Sequence, residues 1–128
     1  TDYPMFRLSE IYLSAAEAVL RGGTGMTRTE ALELVNKVRE RAFGNDWENI
    51  SDDEFTLDFL LDERARELYH EMLRRTDLVR YDRFTTDTYL WQWKGGVLNG
   101  SAVDARYNIY PIPLSELSAN PNLKNELY

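Results

Sequence analysis

Apolar residues fall at three- and four-residue steps through Met5, Leu8, Ile11, Tyr12, Ala15, Ala16 and Val19, which predicts one face of a helix. Gly22-Gly23 predicts its end, since a glycine accepts the left-handed conformation of a helix C-terminus. Thr27-x-x-Glu30 is the pattern of a capping box. It opens a second helix whose face is Ala31, Leu34, Val35, Val38 and Ala42, and which stops at Gly44-Asn45. Two helices of this length joined by a short glycine-containing turn are expected to pack antiparallel. Such pairs recur in tetratricopeptide arrays, where a lone pair leaves an apolar face uncovered. That predicts partner helices upstream of Thr1. With no initiating Met and a helical pattern almost from the start, the chain reads as an excised piece of a longer protein.

A third segment opens at Ser51-x-x-Glu54, which has the same capping-box pattern, and continues through Leu57, Leu60, Leu61, Arg64, Ala65, Leu68 and Met72. The helical signal weakens near Leu73 and resumes at about Thr76, carrying Leu78, Val79 and Tyr81 to Asp82. After Arg83 the periodicity stops. Residues 84–110 hold Phe84, Tyr89, Trp91, Trp93, Tyr107 and Tyr110 among Thr, Gly, Asn and Asp, with turn dipeptides at Gly95-Gly96 and Asn99-Gly100. Pro111, Pro113 and Pro121 exclude a long helix from the tail and leave room for one short turn at 115–117. The expected organisation is a helical hairpin over 1–44, a charged helix pair over 51–83 and a loop-rich region over 84–128, in a mainly α fold.

Composition narrows the function. A 128-residue chain with a 43% apolar share can build one core. A net charge of -7 and a pI near 4.7 argue against a nucleic-acid backbone as partner. No cysteine is present, which removes disulfides, thiolate metal sites and a cysteine nucleophile. One histidine, His70, makes a zinc site unexpected, and Asp52-Asp53-Glu54 lacks the ligand spacing of a calcium loop. No metal or cofactor is therefore expected. No apolar run reaches the roughly 18–20 residues of a spanning helix.

The charged block from Asp62 to Arg83 balances six acids against six arginines. Glu63, Glu67 and Glu71 lie four apart on one helical stripe and would repel one another unless arginines intervene. Within the block Arg64, Arg74 and Arg80 are the candidates for that role, with Asp77 as a further member of the network. A structural ion-pair network locking the helix to the loop region is the favoured reading. A catalytic carboxylate pair fits poorly, because arginines lower carboxyl pKa values and a general acid needs a raised one. Tyr89, Trp91 and Trp93 are the candidate glycan-binding residues, since flat aromatic faces pack against the C–H-rich faces of sugar rings. The alternative is that they form the core of a small loop-rich lobe.

These segments resemble the RagB/SusD family in order. Arg7-Leu8-Ser9-Glu10-Ile11-Tyr12-Leu13-Ser14-Ala15-Ala16-Glu17-Ala18 is similar to the family's first such helix, and Leu34-Val35-Asn36-Lys37-Val38-Arg39-Glu40-Arg41-Ala42 to its L-N-x-V-R-x-R-A helix. Glu63-Arg64-Ala65-Arg66-Glu67-Leu68, then Glu71, Arg74, Asp77-Leu78 and Arg80, follow E-R-x-x-E-L-x-x-E-x-x-R-x-x-D-L-x-R. Leu90–Val97 and Tyr110-Pro111-Ile112-Pro113 through Asn120-Pro121-Asn122-Leu123 complete the order. Arg75 and Thr76 stand where the family often has aromatics, and the chain ends in Lys124-Asn125-Glu126-Leu127-Tyr128 rather than a Q-N-x-G-Y finish. The resemblance implies a SusD-like α-α superhelix. It also implies an outer-membrane, cell-surface lipoprotein, anchored by a lipid outside this chain, that binds oligosaccharides without cleaving them and delivers them to a SusC-like TonB-dependent transporter. The alternative is a scaffold that contacts the transporter and holds no sugar site of its own.

Overall fold

In a computed structural model, residues 6–128 are described. Met5, assigned above to the first helical face, lies outside them. The chain divides into two compact units, residues 1–77 and 78–128. Five α-helices run in the order α1 (Leu8–Leu20), α2 (Arg28–Phe43), α3 (Leu57–Glu67), α4 (Arg74–Arg80) and α5 (Leu114–Ala119), and no strand occurs among the described residues. The mainly α reading therefore holds.

In the first unit α1 packs on both α2 and α3. Leu13 and Ala16 of α1 meet Ala31, Val35 and Val38 of α2, with Ile50, Phe55 and Leu60 closing the core. Alanines at 16 and 31 let the two backbones approach closely. The hairpin is antiparallel: Arg7, just before α1, and Arg41, in the last turn of α2, both reach Glu67 of α3. The buried side of α1 differs from the one its apolar spacing predicts. Ser9, Leu13, Ala16 and Glu17 are buried, whereas Leu8 and Ile11 are exposed. Apolar residues extend most of the way around this helix, so spacing alone does not select the packed side. On α2, Ala42 is exposed and the aliphatic stem of Arg39 takes part in the buried face instead.

Local signals set the helix ends. After α1, Gly22 at φ 94 donates its N–H to Val19 O, and Gly23 donates to Ala18 O. These are the paired bonds of a Schellman motif, and they satisfy carbonyls the helix leaves over. A Cβ on Gly23 would lie 2.8 Å from Ala18 O, so the position needs a glycine. The capping box at Thr27 and Glu30 forms in both directions, and Gly44 ends α2 at φ 73.

The Ser51/Glu54 signature does something other than predicted. The Glu54 carboxylate accepts from the Ser51 N–H and hydroxyl, but the box closes an isolated turn. Thr56 caps α3, accepting from the Phe59 N–H. Between the two, Phe55 is buried and its carbonyl is held by Arg28. Burying that ring pulls the chain out of helical register for two residues. At the other end α3 stops at Glu67, short of Met72, and α4 begins at Arg74, two residues before the predicted restart. His70 and Met72 in the connection have φ of 63 and 59, left-handed values that no helix can pass through.

The second unit is thinly packed. Leu78, Thr85 and Lys94 are its buried residues. Side-chain clamps on the main chain hold the tail. Asn125 accepts from the Ile112 N–H and donates to the Ile112 carbonyl, and the Tyr128 hydroxyl donates to the carbonyls of Arg106 or Ile109.

Candidate functional site

Two constellations carry the candidate residues, one in each unit. The first is the charged network on α3. Glu63 is buried and accepts from Arg39 of α2 at 2.8 Å and from Arg66 at 2.7 Å. Glu67 pairs with Arg7 at 2.9 Å and with Arg41 at 2.6 Å, and Arg7 also binds Glu71 at 2.7 Å. The Glu71 hydrogen bond, aided by Glu67 and opposed by burial, lifts the Arg7 guanidinium above its ordinary value. Arg64 and Asp77 form the most enclosed pair, 2.9 Å apart with side chains 3% and 2% exposed. Arg64 also donates to Ser14 of α1. Arg74 donates to the Leu61 carbonyl and lies 3.9 Å from Asp62, while the Arg80 guanidinium sits 5.6 Å from the Tyr81 ring centre.

Three of the guanidiniums that neutralise the glutamate stripe, from Arg7, Arg39 and Arg41, lie outside the charged block in which they were sought. They belong to α1 and α2 or their ends, so the network ties α3 to both hairpin helices. The acids sit among guanidiniums from several elements, an arrangement that holds α3 against its neighbours.

Beside this network an open pocket of about 420 Å³ is lined by Arg64, Leu68, Tyr69, His70, Met72 and Arg74. Tyr69 and Met72 project from it into solvent. His70 meets the Tyr69 ring edge-on at 4.2 Å. The weakening of the helical signal near Leu73 hints at a break here, but no glycine marks its left-handed residues, His70 and Met72.

The second constellation is the aromatic loop. Tyr89 is half-buried, Trp91 is 37% exposed and Trp93 is 64% exposed. Trp93 therefore lies at the surface, while Tyr89 and Trp91 are partly covered by the loop. Trp91 lies near-parallel to Phe84 at a centroid distance of 6.4 Å. Trp93 occupies φ 67, a costly conformation for a large side chain, and it does so at the mouth of a tight turn. That turn is pinned by main-chain bonds: Trp93 N–H to Val97 O, Gly96 N–H to Trp93 O, Gly100 N–H to Val97 O and Ser101 N–H to Lys94 O. Glycine is favoured at Gly95, where φ is 67 and a Cβ would crowd Ser101, and required at Gly100, where a Cβ would lie 2.6 Å from Trp91 O.

Lys94 is the residue that sequence reasoning missed. It is 3% exposed and its ammonium donates to the carbonyls of Arg83 at 3.0 Å, Tyr89 at 2.8 Å, and Thr86. Its Nζ also lies 4.6 Å from the centre of the Trp91 ring. Burial pushes the ammonium below the ordinary lysine value, and Asp87 pulls weakly the other way. The only hint in the sequence is placement, a lone lysine between Trp93 and Gly95-Gly96 in a region otherwise short of charge to pair with it.

A family profile described as the SusD family matches residues 1–128. Over its full length the chain is 45% identical to the starch-binding protein SusD of Bacteroides thetaiotaomicron, covering 22% of that protein. It is 34% identical over 93% of its length to SusD-like protein P25 of Formosa agariphila, again 22% of the relative. A SusD-like protein of Bacteroides ovatus is 34% identical over 71% of the chain. The chain thus spans about a fifth of the length of the curated relatives it matches.

Proposed function

Since this chain belongs to the SusD family, we propose that it is part of a cell-surface, outer-membrane lipoprotein that captures oligosaccharides without cleaving them. In this reading the captured glycan passes to a SusC-like TonB-dependent transporter, and Trp91, Trp93 and Tyr89 form the sugar-contacting face of this chain. The observation that supports the face is Trp93, an indole 64% exposed on a left-handed backbone. Exposing a large ring at a strained position costs stability twice, and such costs persist where a ligand repays them. The paired state of every carboxylate in the α3 network supports a binding rather than a hydrolytic role.

The test is affinity electrophoresis on gels containing starch, other α-glucans or unrelated polysaccharides. Retarded migration that Trp91→Ala and Trp93→Ala each weaken about fivefold or more is expected, since loss of an anchoring aromatic costs over about 1 kcal/mol. Retardation unchanged in both variants moves the sugar site off this loop. Release of reducing ends from any glycan overturns the non-catalytic reading.

A second reading places protein contact, not sugar, in this chain. It is favoured by the turn at 69–72, where Tyr69 and Met72 are exposed beside the 420 Å³ pocket. Failure of every glycan to retard the chain, with transporter co-purification lost on Tyr69→Ala and Met72→Ser, would select it.

A further inference from the structure

The geometry points to Lys94 as the positioning residue of the aromatic loop: its ammonium, held by the carbonyls of Arg83, Thr86 and Tyr89, fixes the ring that Trp91 presents to a ligand. This rests on the reading of Tyr89, Trp91 and Trp93 as the sugar-contacting face.

An ammonium has three N–H donors and no acceptor, and here three main-chain acceptors converge on it. The acceptors come from both ends and the middle of the segment 83–89, so one cation closes that segment into a ring. Tyr89 is itself one of the candidate residues, and its carbonyl is the last link before Trp91. The same Nζ sits over the Trp91 indole at 4.6 Å from the ring centre, within range of a cation–π attraction. Two further main-chain bonds tie the lysine's own backbone into the turn, from Lys94 N–H to Trp91 O and from Ser101 N–H to Lys94 O. The residue therefore touches the loop before the platform, the platform ring and the turn after it.

Phe84 also lies near-parallel to the Trp91 ring, with centroids 6.4 Å apart, but that stack does not join the loop before the ring to the turn after it. The unit's buried residues besides Lys94 are Leu78 and Thr85, too few to hold indoles in place by packing. Thr85 contributes main-chain and hydroxyl bonds to Val103 and Asn108, which anchor the far side of the loop and leave Trp91 untouched. A purely structural lysine would need only its carbonyls. Contact with the indole adds a ligand-facing consequence: a ring held on a cation is fixed in tilt, and a sugar that stacks on it meets a surface already in place.

The experiment has two parts. In the unaltered protein, ammonium-selected NMR compares the lysines of this chain, of which Lys37 and Lys124 are exposed. The Lys94 ammonium protons are expected to exchange about tenfold or more slowly than those two and to show contacts with the Trp91 ring protons. Exchange as fast as Lys37 overturns the inference, whatever any variant does. In the second part, Lys94→Met keeps the stem and removes the donors. Trp91 is read alone in a Trp47→Phe/Trp93→Phe background. Red-shifted emission, acrylamide quenching raised about twofold, and glycan affinity reduced about fivefold or more are expected. Unchanged emission and quenching in Lys94→Met refute the positioning role even if Trp91→Ala abolishes binding. Should Trp91→Ala leave binding intact while Lys94→Met still frees the ring, the sugar-face reading fails and the Lys94–Trp91 geometry stands.

Discussion

The Arg64–Asp77 pair offers the sharpest test of what holds the helical unit together. Its side chains are 3% and 2% exposed and 2.9 Å apart, and they join α3 to α4. Arg64→Met keeps a buried aliphatic stem and removes the charge, leaving the Asp77 carboxylate enclosed without its guanidinium. Removing one partner of a buried pair costs about 3–5 kcal/mol, because the remaining charge has lost its compensation without regaining water. A domain of this size has about 5–15 kcal/mol of stability in total, so the variant should be marginal. Urea unfolding followed by far-UV circular dichroism reads the change. With a slope near 2 kcal/mol/M, the midpoint should fall by about 1.5–2.5 M. Arg64→Met with Asp77→Leu removes both charges, and the double variant should recover about 2 kcal/mol or more over Arg64→Met alone. The exposed pair Arg28–Asp52 is the control: Asp52→Asn should cost less than about 1 kcal/mol, and only that loss should shrink with added salt. A shift under about 0.5 M for Arg64→Met, or single-variant costs that simply add in the double variant, would refute the enclosed-pair account.

Two further outcomes follow from local geometry. The Thr27 N–H, then its hydroxyl, hold the Glu30 carboxyl below its ordinary value, so the box contributes stability that is present above that ordinary value and lost as pH falls through the lowered one. The stability difference between the protein and Glu30→Gln, followed by urea midpoint from pH 7 downward, should therefore narrow toward acid, and a constant difference would contradict the assignment. Met72 sits at φ 59, so Met72→Gly is expected to raise stability by up to about 1 kcal/mol in the same assay, against the usual penalty for glycine; a loss would show that the exposed thioether packs usefully.

What the sequence shows of this molecule divides by range of interaction. Thr27, Glu30, Gly22 and Gly44 act within four residues of themselves, and their roles can be read directly from the letters. Ser51 and Glu54 have the same local pattern, and the Glu54 carboxylate accepts from Ser51 as Glu30 does from Thr27, yet they cap no helix, because Phe55 goes into the core and Arg28 draws the chain toward α2. Arg39 reads as a solvated cation on a polar face, and only the approach of Glu63 from 24 positions later explains its burial. Leu8 and Ile11 fit a helical stripe as well as Leu13 does, and packing against α2 and α3 chooses among them. The family is legible in the order of its motifs. The pocket beside Tyr69 is not, since it depends on left-handed residues that carry no glycine signal. Lys94 is the extreme case: a charged letter implies the surface, while its burial depends on carbonyls, which every residue has and no letter displays.

That dependence on carbonyls bears on how such a loop can change over time. Arg83, Thr86 and Tyr89 serve Lys94 through atoms that are the same in any amino acid. The three bonds to the ammonium are made by main-chain oxygens, whatever else the side chains of these residues do. Substitution at Arg83, Thr86 or Tyr89 therefore leaves in place the main-chain oxygens that grip the ammonium. A lineage exposed to a new polysaccharide could alter what this loop touches without having to reinvent how it is held.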